Sequence, residues 1–165
     1  MSSLRGWGRV AALAAVVVLV ATACSSDKGG SSTAPPIYDV FAQQFKFHGL
    51  PASIPSGNMQ INFSNKESFP ITHEMILKAL PSGDTAQDII DSAKVPGCEG
   101  GGECETQYLA FGEIAGVDTG ATLSNVFDLP AGNYFFACWE TGTQSGATDG
   151  PPHASKGMVF TFTVT

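Results

Sequence analysis

Hydrophobic and polar positions alternate with a period of two in two clear stretches of this chain, and from Ile37 on short strand-like runs are separated by turn residues. From Asn58 to Phe63, Met59, Ile61 and Phe63 fall on one face and Gln60 and Asn62 on the other. Near the C-terminus, Met158, Phe160, Phe162 and Val164 share a face, with Thr161 and Thr163 opposite. Such a period predicts half-buried strands. Further strands are expected around Phe41 to Phe47, interrupted near Gln43-Gln44, and at His73–Leu80, Tyr108–Ile114, Ala121–Leu129 and Asn133–Trp139. One segment differs. Thr85 to Ala93 carries acids in its first turns, follows Ser82-Gly83-Asp84 and stops before Pro96-Gly97, which predicts a short helix. About seven strands with one short helix in a connection predict an all-β Greek-key sandwich over residues 37–165.

Two earlier stretches do not belong to that pattern. Residues 1–23 hold Arg5 and Arg9, an apolar run from Val10 to Val20, and the small residues Ala21, Thr22 and Ala23 before Cys24. This is the layout of a secretory signal peptide, with an apolar run too short for a comfortable membrane span. The segment Val20-Ala21-Thr22-Ala23-Cys24 resembles the bacterial lipobox, whose cysteine is lipidated, although Ala21 stands where leucine is usual; the alternative is an ordinary signal peptide with an incidental cysteine. Residues 24–36, rich in Ser, Gly, Thr and Pro, read as a flexible tether. The expected location is therefore the outer face of a bacterial cell membrane, with the membrane itself as a partner through the lipid.

Export makes disulfides possible. Cys98 and Cys104 flank Glu99-Gly100-Gly101-Gly102-Glu103, flexible enough for a small ring. A bridge there is worth about 2 kcal/mol on the chain-entropy estimate; metal binding by the pair is the other reading, with no histidine beside it. Cys138 is left over. Loss of residues 1–23 leaves six basic and fifteen acidic residues, a net of −9. Such a surface would not hold a phosphate backbone, so nucleic acid is excluded as a partner.

Chemistry concentrates in four residues, His73, Cys138, His153 and Met158. Two imidazoles, a thiolate and a weak thioether form the soft mixed donor set that suits copper. Each also has a plainer reading: Cys138 and Met158 as core, His73 as a strand-edge residue, His153 as a loop residue. His48, before Gly49-Leu50-Pro51, belongs to no ligand spacing. Glu74 would point away from His73 on a regular strand and is not an obvious co-ligand. His73-Glu74 is not a zincin motif, because Leu77 stands four after His73. A nucleophile elbow for serine catalysis is also missing.

The order of these residues resembles the cupredoxins. Leu129-Pro130-Ala131-Gly132-Asn133-Tyr134-Phe135-Phe136-Ala137-Cys138 is similar to their Pro-Gly-x-Tyr-x-Phe-x-Cys strand, and His153-Ala154-Ser155-Lys156-Gly157-Met158 to their His-x4-Met segment. The strand Ile61-Asn62-Phe63-Ser64-Asn65 followed by His73 resembles their upstream histidine region. The resemblance spans Tyr38 to Thr165. It implies one type 1 copper ion with His73, Cys138 and His153 equatorial and Met158 axial, and a non-enzymic role in electron transfer or copper handling with a redox or copper-exchange partner. A departure is the fourteen residues, Trp139 to Pro152, between cysteine and second histidine, where plastocyanin-like proteins have only a few. The competing expectation is a metal-free scaffold that binds a protein or small ligand through its loops.

Overall fold

Nine strands are found in the computed structural model, which describes residues 34–98, 102–142 and 150–165. The expected signal peptide, Cys24 and the tether up to residue 33 lie outside the described residues, as does part of the loop between Cys138 and His153. Residues Ala34–Thr165 form one compact unit.

The strands are β1 (Ile37–Gln43), β2 (Lys46–His48), β3 (Ser53–Ile54), β4 (Gly57–Asn65), β5 (Thr72–Ala79), β6 (Ala110–Asp118), β7 (Thr122–Leu129), β8 (Gly132–Ala137) and β9 (Val159–Val164). They make a four-stranded sheet in the order β2-β1-β4-β7 and a five-stranded sheet in the order β3-β9-β8-β5-β6. Pairs β1–β4 and β3–β9 are parallel and the rest antiparallel. The interruption read at Gln43-Gln44 is a two-residue hairpin turn: Gln43 pairs with Lys46, and Gln44 and Phe45 have φ of 54° and 55°. Two left-handed residues in succession give the turn whose twist matches a hairpin.

The alternating faces do what their period requires. Met59, Ile61 and Phe63 of β4 are buried against Phe136, Phe162 and Val164 of the facing sheet, with Cys138 and Met158 in the same cluster. The run Phe135-Phe136-Ala137-Cys138-Trp139 is apolar without alternation because β8 is covered on both sides. Helix α1 (Ala86–Ser92), with Ile89 and the following Ala93, packs onto the outer face of the five-stranded sheet against Ile76, Phe135, Ala137, Trp139 and Ala154. Full burial of a side chain such as Phe135 is worth about 1.5–3 kcal/mol, so this second, smaller core fastens the central strands that carry the candidate site. At the start of α1, the Asp88 carboxylate accepts from the Thr85 N–H and hydroxyl, satisfying groups that the first turn leaves open. A five-residue helix, α2 (Gly102–Thr106), follows, and Cys98 and Cys104 are joined by a disulfide.

Candidate metal centre

Three stretches of backbone meet at one end of the sandwich. Strand β5 brings His73 as its second residue, Cys138 follows the last residue of β8, and a four-residue 3-10 helix, His153–Lys156, brings His153. That helix is tied to the cysteine strand by main-chain bonds: His153 N–H donates to Glu140 O at 2.8 Å and Ala154 N–H to Cys138 O at 2.7 Å. Gly157, at φ 98°, caps it and turns the chain into β9, a conformation that costs glycine little. Met158 comes next, fully buried, its carbonyl accepting from Cys138 N–H at 3.2 Å. The four residues expected to act together are thus brought to one place. His48 is apart, stacked on Phe41 with ring centroids 4.9 Å apart.

The donors converge on a common point. His73 Nδ1 and His153 Nδ1 are 3.1 Å apart and lie 3.6 and 3.4 Å from Cys138 Sγ. A point equidistant from the three atoms lies about 2 Å from each, which is the length of a metal–imidazole bond. All three residues are completely buried. Their outer nitrogens reveal the tautomers. His73 Nε2 faces Glu67 Oε1 at 3.3 Å and His153 Nε2 faces Gly142 O at 3.1 Å. A carboxylate and a carbonyl only accept, so each Nε2 carries the proton and each Nδ1 is bare. Two lone pairs 3.1 Å apart cannot hydrogen-bond to each other. They form an electron-rich hollow beside a thiol, and a cation fits it.

Electrostatics say the same. Burial lowers the basicity of both rings, taking His153 down to about 4, because a charged ring in an apolar interior loses its hydration. For His73 burial also dominates and lowers it, opposed by the Glu67 hydrogen bond and charge. Burial pushes the Cys138 thiol well up, with the Glu74 charge adding to it, against the main-chain N–H groups of Glu74 and Glu140. A thiolate here needs a cation beside it.

Several residues that shape the centre carry no sequence signal of that role. Glu74, set aside as a ligand, uses its backbone: its N–H donates to Cys138 Sγ at 3.4 Å, while its carboxylate accepts from Trp139 N–H at 2.7 Å. Burial raises that carboxyl to about 7, partly countered by the Trp139 bond. Glu67, in the connection that follows β4, is a buried acid. Burial pushes its carboxyl up, but the N–H groups of Phe45 and Gln44 and the His73 ring outweigh that and hold it below its usual range. Phe45, at the hairpin turn, sets its ring edge against both imidazoles, with centroids 5.8 Å from His73 and 5.0 Å from His153. The only clue to Glu67 in the sequence is its position six residues before His73.

No protein-family model matches this sequence, and no curated protein matches it either. Solved structures do. The dithionite-reduced auracyanin of the photosynthetic bacterium Roseiflexus castenholzii is 16% identical, with a TM-score of 0.52 over 79% of this chain and 96% of that one. Auracyanin A of Chloroflexus aurantiacus, described as a blue copper protein, is 17% identical, with a TM-score of 0.54 over 79% and 99%. Auracyanin B is 20% identical, with a TM-score of 0.53 over 79% and 88%. At these identities the likeness is one of fold, and it agrees with the two-sheet architecture: the chain is a β-sandwich of the cupredoxin type.

Proposed function

We propose that this protein carries one copper ion and moves single electrons at the outer face of a bacterial cell membrane, held there by a lipid on Cys24. His73, Cys138 and His153 would hold the ion, with Met158 as the weak fourth donor. Bound there, copper supplies a one-electron Cu(II)/Cu(I) couple, for which thiolate and imidazole together suit both states. The observation that carries this reading is the donor triangle, with edges of 3.1, 3.4 and 3.6 Å and two bare nitrogens facing inward.

Burial favours a carrier over a catalyst. A substrate needs an open coordination position, and all three donors are closed off from solvent; an electron does not need that opening. The chain's own part is to hold the donors still. β5 is laddered on both sides, to β6 and β8, and the His153 helix is bonded to the cysteine strand. The Glu74 N–H stabilises negative charge on sulfur. Export is supported by the signal-like N-terminus and by the Cys98–Cys104 disulfide, a bond suited to an oxidising compartment. A redox protein at the membrane is the proposed partner; copper exchange is the close variant that the same ligands would serve.

The test is the visible absorption spectrum of the purified protein after addition of Cu(II), with bound copper quantified, beside Cys138→Ala. An intense thiolate-to-copper charge-transfer band at one copper per chain, absent from the variant, is the expected result. Colourless protein with no stoichiometric Cu(II), and no Cu(I) under reducing conditions, would overturn the copper reading and leave the loops as the place to look for a partner.

A further inference from the structure

Glu67 brings a negative charge to a place that solvent does not reach: its side chain is 2% exposed. It lies in the connection between β4 and β5 and cannot easily swing away. Its own N–H donates to Asn65 Oδ1 at 3.1 Å, and Asn65 Nδ2 in turn donates to Ile71 O at 2.8 Å and Val117 O at 2.9 Å. From that fixed loop, one carboxylate oxygen accepts two bonds, from His73 Nε2 at 3.3 Å and from Phe45 N–H at 3.0 Å. Phe45 needs such a hold. A bulky side chain at φ 55° sits in a sparsely populated backbone region, and its ring is the one set against both imidazoles. Lys156 Nζ lies 4.5 Å from the centroid of the same ring.

We propose that Glu67 is the positioning residue of the centre: a single carboxylate oxygen fixes His73 with its bare Nδ1 turned inward and pins Phe45 as a cover over both rings. An acceptor-only group on Nε2 allows one tautomer alone, and a carboxylate on a ligating imidazole also raises its strength as a donor. The same oxygen links the hairpin turn to the ligand, so cover and ligand are set by one group. This deepens the metal reading, and rests on it only for the effect on copper affinity.

The deciding measurement is nitrogen-15 NMR of the histidine rings in the metal-free full chain, with distance contacts between the Phe45 ring and the two imidazoles. The wild-type protein is expected to show His73 protonated at Nε2 and bare at Nδ1, with the Phe45 contacts present. In Glu67→Ala the His73 tautomers should mix and the Phe45 contacts weaken, whereas Glu67→Gln, which keeps a carbonyl acceptor, should restore the tautomer. Copper affinity should drop about 10- to 100-fold in Glu67→Ala, the range found when a second-layer partner is lost, and less in Glu67→Gln. A wild-type His73 protonated at Nδ1, or a tautomer and Phe45 contacts unchanged in Glu67→Ala, would overturn the proposal. The wild-type spectrum decides even where a variant does not fold. Failure of the protein to take up copper would count against the proposed function, while the tautomer and ring contacts would still judge Glu67.

Discussion

His73 and His153 offer the same atom to the same point from two different kinds of support. Both are fully buried and both aim Nδ1 at Cys138 Sγ, from 3.6 and 3.4 Å. His73 stands on a strand with neighbours on both sides, and its outer nitrogen is held by a charged side chain, Glu67. His153 stands on a four-residue 3-10 helix, and its outer nitrogen is held by a neutral backbone carbonyl. The difference is electrostatic rather than geometric. A carboxylate would offset part of the cost of burying a ring beside a cation; a carbonyl would offset less. His73 therefore carries a built-in counter-charge, and His153 is the more strongly neutral of the two.

The sharpest break of this comparison is truncation of each ring in the metal-free protein. His73→Ala removes a buried ring and also takes a hydrogen-bond donor from the buried Glu67 carboxylate, and should be the more destabilising of the two. His153→Ala loses comparable ring packing but leaves only a carbonyl unpaired, and should cost about 1–3 kcal/mol less than His73→Ala. Urea unfolding of both variants measures the gap, and equal losses would mean that the two supports are equivalent.

Acid sharpens it next. His153 is basic only to about 4 in the folded protein, against about 6.5 for a free imidazole. The unfolded chain therefore takes up a proton first as pH falls, and the stability held above pH 6.5 is lost on the way to pH 4. Burial of Glu74, raised to about 7, has the opposite trend, costing stability as pH rises from the usual carboxylate range. Wild type compared with His153→Gln cancels that second effect. The wild-type protein should lose about 3 kcal/mol relative to the variant between pH 6.5 and pH 4, read from unfolding curves at each pH. A flat difference would show that His153 is not held neutral by its surroundings.

The smallest effect belongs to Lys156, exposed, with its ammonium over the Phe45 ring and its charge opposing protonation of both histidines. Lys156→Gln should change stability by less than about 1 kcal/mol, and thermal unfolding with and without added salt would check it.

What the sequence showed and what it hid divide along physical lines. Strands β4 and β9 were legible because one face of each is buried and the other is not, so period two was written directly into Met59-Gln60-Ile61-Asn62-Phe63 and Met158 to Val164. The helix over 86–92 was legible from its acids and the following Pro96-Gly97. His73, Cys138, His153 and Met158 were legible because ligand chemistry restricts residue type and the chain order matched a known pattern. Hidden were the parts whose role lies in position alone. The β3 strand is two residues long, too short for any period. Glu67 is an ordinary residue of a turn-rich connection, and its burial, like the bond from its N–H to Asn65 Oδ1, depends on contacts that are remote from any sequence pattern. The amide of Glu74 has no side-chain signature at all.

That amide has a wider meaning. Opposite Glu74 the β5–β6 register slips: His73 faces Val117 but Met75 faces Ile114, so Ala115 and Gly116 together oppose a single residue. The slip is a bulge on β6, with Gly116 at φ 65°, and beside it the Glu74 N–H is spent on sulfur rather than on a neighbouring strand. The centre is therefore not a set of side chains that could be grafted onto any pair of regular strands. Transplanted onto strands in another β5–β8 register, His73 would arrive beside a sulfur that had lost its backbone donor. The backbone at Glu74 is as much a part of the candidate centre as the donor side chains are.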